Sequence, residues 1–145
     1  MAEVLHIFIS VAHRLPMREL AEVRAVADKG LENCAHSRIG TPRQVLLMDA
    51  ETLGELKVEP GAVKENITTR GLRLSGLARG QRLRIGEALF EVTIPCEPCR
   101  QMENIRPGLE QELRGRRGML CRVLERGLIR RGDPIGLVAA VPTDA

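Results

Sequence analysis

A chain of 145 residues with a net charge of +3 has room for one core of its own, and its basic excess is too small to mark a nucleic-acid binder. It holds two Phe and no Tyr or Trp, so the core must be aliphatic and the stacking platforms that hold single-stranded nucleic acid are missing. Four cysteines, two of them in one C-x-x-C, do not make a secreted disulfide framework.

No apolar run reaches the ~20 residues of a membrane helix. Met1 to Val11 is apolar but has no basic leader. The expected setting is therefore a reducing cytoplasm, with neither membrane nor nucleic acid as partner.

In chain order, Val4 to Ser10 is a short β-branched apolar run and predicts a strand. Glu22 to Val26 alternates polar and apolar, as a half-buried strand does. Asp28 to Pro42, rich in Gly, Asn and Ser, predicts a long loop. Arg43 to Met48 predicts a buried strand, and Asp49 an N-cap for a short helix ending near Leu56. Pro60-Gly61 marks a turn, and Asn66 to Thr69 another strand closed by Gly71.

Leu83 to Ile85 and Ala88 to Ile94 predict a hairpin, with Phe90, Val92 and Ile94 on one face and Glu91 and Thr93 on the other. Pro98 to Arg114 reads as helix in two pieces divided at Pro107-Gly108. Gly118 to Leu124 and Ile135 to Ala140 predict the last strands, and Pro142 to Ala145 a tail. Short strands separated by turns, with two or three short helices and no βαβ alternation, define a mainly β (α+β) fold, barrel-like, in a single domain spanning 1–145.

The chemistry concentrates in Ile94-Pro95-Cys96-Glu97-Pro98-Cys99-Arg100. A strand ending at Pro95 and a helix beginning near Glu97 would set Cys96 at a helix N-terminus. Free N–H groups and the positive dipole end would stabilise a thiolate there, with Arg100 one turn on. Such a thiolate is a nucleophile or a soft-metal ligand. Against it stand a buried structural role, half a zinc site, and a redox pair of Cys96 and Cys99. Two prolines and a glutamate argue against deep burial, and Cys34, Cys121 and His36 are too scattered to complete a zinc site. Cys121 sits in an alternating strand and belongs in the core. Arginines crowd the stretch from Arg70 to Arg131; most form a solvated rim, but two or three suffice for an anion site.

The order of short motifs resembles the MOSC family, named for the C-terminal domain of molybdenum cofactor sulfurases. They are Gly30 to His36, Pro42 to Leu47, Pro60-Gly61 with Glu65 to Thr69 and Gly71, Leu77 to Gly80, Arg84-Ile85-Gly86, Pro95-Cys96, and Arg130 to Pro134. The motif-bearing part runs over about residues 21–138, as in a stand-alone bacterial-type member. The resemblance implies a barrel-like β fold and a functional cysteine at Cys96, which would ligate molybdenum or carry sulfur. It implies that His36, Arg43, Asn66, Thr68 and Thr69 line the cofactor site, with Arg100 among the residues meeting pterin or phosphate.

The implied cofactor is the molybdenum cofactor, molybdopterin. Pyridoxal phosphate is a family association only, since no desulfurase part is present to use it. Sulfur or cofactor would then come from a partner, a sulfur donor or a molybdoenzyme or cofactor-biosynthesis protein. The chain departs from the family in reading Asn33-Cys34 where Gly-Asp usually precedes Ala-His. That change removes a carboxylate or places a second thiol near Cys96. The competing expectations are a thiol-disulfide module using Cys96 and Cys99, and an adaptor that keeps the fold without the chemistry.

Overall fold

A computed structural model describes residues 2–139. Most of its longer strands coincide with apolar or alternating runs that bury at least one face. They are β1 (Glu3–Ile9), β2 (Arg18–Leu20), β3 (Glu22–Val26), β4 (Gly30–Leu31), β5 (Val45–Asp49), β6 (Ile67–Arg70), β7 (Arg82–Ile85), β8 (Ala88–Pro95), β9 (Met119–Glu125), β10 (Gly127–Arg130) and β11 (Ile135–Val138). Helical structure is limited to α1 (Ala50–Glu55), α2 (Leu109–Glu112) and two 3-10 turns, Leu74–Gly76 and Arg100–Asn104.

Eight strands form one sheet in the order β11-β7-β8-β9-β5-β6-β1-β2, and three form a second in the order β10-β3-β4. Neighbours are antiparallel except β5 and β6, which run parallel. The mainly β expectation holds, but the large sheet is not closed into a barrel. Near its two ends, Ala2 to Val4 exchange backbone hydrogen bonds with the Gly132 to Ile135 turn, but Glu3 and Pro134 form only an isolated bridge there. Closure needs a continuous ladder between first and last strands, and β2 and β11 remain edges.

Val45-Leu46-Leu47-Met48 is a continuous apolar run because β5 lies mid-sheet with both faces covered. Val45 and Leu47 join the main aliphatic core with Ile7, Ile67, Phe90 and Val123. Met48, on the other face, joins a smaller core with Leu53 of α1, Val63, Met102 and Leu109. That second layer leaves Leu46 beside an opening, where the cleft described below sits. Asp49 caps α1 as predicted, its carboxylate accepting from Thr52 N at 3.0 Å.

Several boundaries differ from the sequence expectation. The predicted loop 28–42 contains β4, and β2 was masked by its polar composition. Thr93, predicted to face away from Phe90 and Val92, is buried. A bulge between Val92 and Ile94 turns it inward, where its hydroxyl donates to Leu120 O at 2.9 Å and bonds Pro42 O. The helical segment splits around Pro107-Gly108 as expected, with Gly108 at φ 88°. The final strand ends at Val138; Ala140 and the predicted tail lie outside the described residues.

Candidate functional site

Five chain segments converge on one face of the sheet. Leu46 of β5 forms the floor, and the lead into β6 contributes Lys64 and Asn66. Cys96 follows the end of β8, while Arg117 and Leu120 come from the entry to β9. Together with His36, Arg43, Gln44 and Val45 they enclose an open cleft of about 210 Å³. A second hollow shares His36 and Arg43 and adds His13, Arg38 and Thr41. No Asp or Glu lines either hollow.

Cys96 is placed by continuing the ladder one residue past Pro95, its N–H donating to Gly118 O at 3.0 Å. This corrects the expected helix junction. No helix begins at Cys96; the next element is the 3-10 turn Arg100–Asn104, whose N-cap is Cys99. The dipole that was to ionise Cys96 is therefore absent from it. Loss of water around the thiol pushes its pKa up, partly offset by the positive charges of Arg117 and Arg43. Two prolines in the segment, with extended backbone at Cys99, explain why the helix starts late.

Arg117 is the electrostatic centre. Only 9% exposed, it has no carboxylate partner among the described residues. Nη2 donates to Val63 O and Nη1 to Glu97 O, each at 3.0 Å, and Nη1 lies 3.9 Å from Cys99 Sγ. Its Nε–H is buried and has no partner. A cation this enclosed without an anion is unusual, because its desolvation is not repaid by a countercharge. Cys99 is exposed, and both it and Cys96 are free thiols.

The cleft brings together Cys96 and three of the other expected residues, His36, Arg43 and Asn66. His36 is held below the ordinary imidazole pKa, first by lost hydration and then by Lys64, His13, Arg38 and Arg117. Asn66 is already committed: Nδ2 donates to Phe8 O at 3.2 Å and Cys34 Sγ at 3.4 Å, and Oδ1 accepts from Leu46 N at 3.0 Å. It knits β1, β5 and β6 beneath the cleft.

Thr68, Thr69 and Arg100 are not among the lining residues. Thr68 and Thr69 are fully buried in β6, Thr68 donating to Glu65 at 2.8 Å, and Arg100 is exposed on the 3-10 turn. Cys34 lies in the core and accepts from Ser10 N and Asn66, so the Asn33-Cys34 departure adds a packed sulfur rather than a thiol in the cleft. Cys121 is core, as expected, and burial pushes its thiol far up.

Sequence reasoning missed Arg117 and Lys64. Arg117 was hidden among many arginines. Its signal was position: a basic residue directly before Gly118 and an alternating strand. Lys64 precedes Glu65-Asn66, one residue outside the quoted motif.

The fold is an open, mainly β sheet carrying a cationic cleft, without carboxylates among the described residues and with a thiol at its edge. The MOSC domain model matches residues 39–136, and the chain belongs to the MOSC family, which is associated with molybdenum cofactor sulfurase-like function. Solved structures agree in fold. YiiM from Geobacillus stearothermophilus is 22% identical, with a TM-score of 0.78 over 96% of this chain and 76% of that one. The YUAD protein from Bacillus subtilis is 17% identical, with a TM-score of 0.76 over 93% and 94%. YiiM from Escherichia coli is 25% identical, with a TM-score of 0.71 over 97% and 71%. No curated protein matches the chain significantly. No helix among the described residues is long and apolar enough to cross a membrane.

Proposed function

We propose that the cleft binds the molybdenum cofactor, or accepts sulfur destined for it, with Cys96 as the sulfur ligand or carrier and a partner protein as source or recipient. The observation that carries this reading is Arg117, a buried guanidinium with an unpartnered Nε and no carboxylate, in a cleft bordered by Cys96. An anionic ligand would supply the missing countercharge, and a phosphorylated pterin has that charge. The residues present suit the group. Bound there, the cofactor would supply a soft metal centre able to take a thiolate or sulfur atom.

The chain's own residues have separate tasks. Arg117, Arg43 and Lys64 attract and orient the anion; His36, kept neutral, offers a ring nitrogen as donor or acceptor without adding charge. Cys96 holds its proton until a cation or an electrophilic sulfur arrives, because burial disfavours the free thiolate. This guards the sulfur against casual oxidation.

A second reading has its own observation. Cys99 is exposed and Arg117 Nη1 lies near its sulfur, which suits Cys99 as the reacting thiol, or as the partner of Cys96 in a dithiol–disulfide pair. Reconstitution with molybdenum cofactor, followed by metal analysis of the wild type, Cys96→Ser, Cys99→Ser and Arg117→Met, separates the two. Loss of metal in Cys96→Ser and Arg117→Met, but not in Cys99→Ser, is expected. Equal metal in all four proteins would remove the cleft from the role, and loss in Cys99→Ser alone would transfer it to Cys99. Joint oxidation of both thiols at one defined potential in glutathione buffers would favour the redox pair.

A further inference from the structure

The cleft at Cys96 continues beyond its own walls. Lys64, on its border, also lines a hollow with Arg14, Ala62, Met102 and Ile105, and a further hollow of about 460 Å³ over Phe8, Met17 and Pro60. The three form one furrow with a thiol at one end, cations in the middle and an apolar floor at the other. No Asp or Glu lines any part of it. Every ion pair among the described residues involves other cations, so Arg14, Lys64 and Arg117 are left without carboxylates.

The apolar end is built to hold its shape. Gly61, at φ +87°, lies so close over the Phe8 ring that an added Cβ would come within 2.9 Å of it. Lys64 Nζ donates to Leu15 O at 2.8 Å, tying the 11–17 loop to the 60–65 turn while keeping its charge in the furrow. Ile105, which lines two of these hollows, is a large apolar side chain left exposed. A rigid apolar trough joined to a single-sign field selects a ligand carrying both features.

We propose that this furrow docks an extended, acidic and apolar segment of a partner protein, with aliphatic side chains over Met17, Pro60 and Ile105 and carboxylates on Arg14 and Lys64. The segment would bring its parent protein's sulfur or cofactor site to Cys96, and in that respect the proposal rests on the function proposed above. A nucleic acid is disfavoured because, among the described residues, no Phe, Tyr or Trp presents an open ring face in the furrow; Phe8, 6% exposed, only backs its floor. A lipid surface is disfavoured because the apolar part is concave.

The test uses the full chain and a fluorescein-labelled short peptide of alternating glutamate and leucine, read by anisotropy. Controls are the matching lysine–leucine peptide and phosphatidylglycerol vesicles. Saturable binding of the acidic peptide, weakened at high salt, is expected. It should fall by about tenfold or more in Ile105→Asp and in Arg14→Glu, both exposed positions whose folding is checked by circular dichroism. Molybdenum cofactor loading, which tests the reading above, should be unchanged in Ile105→Asp and Arg14→Glu, neither of which lines the Cys96 cleft, so the two proposals fail separately. Unaltered binding in Ile105→Asp and Arg14→Glu, equal binding of the basic peptide, no binding, or a preference for vesicles would each overturn the proposal.

Discussion

Nη1 of Arg117 reaches the carbonyl of Glu97 at 3.0 Å and stands 3.9 Å from Cys99 Sγ, while Cys96 Sγ lies 3.9 Å from that same carbonyl. One guanidinium thus organises the whole Pro95–Cys99 segment. Its other end bonds Val63 O, on the turn that presents Lys64. The arginine fixes the cleft walls as well as charging them.

Arg117→Ala should therefore lower stability and abolish anion binding together. It strips the buried Val63 carbonyl of its donor, a loss of about 1–3 kcal/mol when nothing replaces it, and frees the part-buried Glu97 carbonyl to water. Arg117→Lys, which keeps the charge but not the fork, should recover part of the anion binding and little of the stability. Urea denaturation and phosphate titration of both variants check the separation.

Cys96 should alkylate slowly. In a Cys99→Ser background, the rate of iodoacetamide reaction against pH should have its midpoint above that of an ordinary thiol, since burial raises the pKa and the thiolate appears only at higher pH. Arg43→Met should move the midpoint further up by removing a charge that favours the thiolate. A midpoint below the ordinary thiol value would mean that the thiol is more solvated or more strongly paired than this geometry gives.

Glu65 makes stability depend on pH in a definite direction. The side chain is fully buried, Oε2 accepts from Thr68, Oε1 has no partner, and burial raises its pKa. A carboxyl whose folded pKa is raised binds its proton more tightly when folded. Its contribution is complete below the ordinary carboxylate pKa and is lost as pH rises toward the folded value. Glu65→Gln cannot ionise, so its urea midpoint relative to wild type should climb as pH rises above the ordinary carboxylate range, about pH 4. A difference that stays constant as pH rises would mean that Glu65 ionises normally.

Gly118→Ala should be severe. At φ +98°, a Cβ would stand 2.0 Å from Leu47 O, on the central strand β5. Neither backbone can yield without breaking the β5–β9 pairing or the Cys96 hydrogen bond to Gly118 O. A loss of about 3–5 kcal/mol is expected from strain plus displaced hydrogen bonds, measured as a drop in thermal midpoint. Gly115→Ala, with open space around it but also left-handed at φ +75°, should cost much less.

Local pattern was enough for much of the fold. Apolar runs and turn residues placed β1, β3, β5, β6, β8 and β9 near their true bounds, and Asp49 announced α1, because burial periodicity and capping are short-range properties. The open sheet was not legible, since closure depends on whether distant edges meet. Thr93 was misassigned because a bulge is set by the partner strand's register, not by the residue's own neighbours.

The candidate site divides the same way. The strand end at Pro95 pointed to Cys96, and the family resemblance to His36, Arg43 and Asn66, which do meet in space, and to Thr68, Thr69 and Arg100, which do not line the cleft. Linear order could not rank one arginine above another: charge matters through burial, and only the fold withdraws Arg117 from water while leaving Arg100 outside. Nor could it fix the state of Cys96. A helix beginning a few residues later than expected takes the dipole away from its sulfur, and packing raises the pKa that proximity to a helix would have lowered.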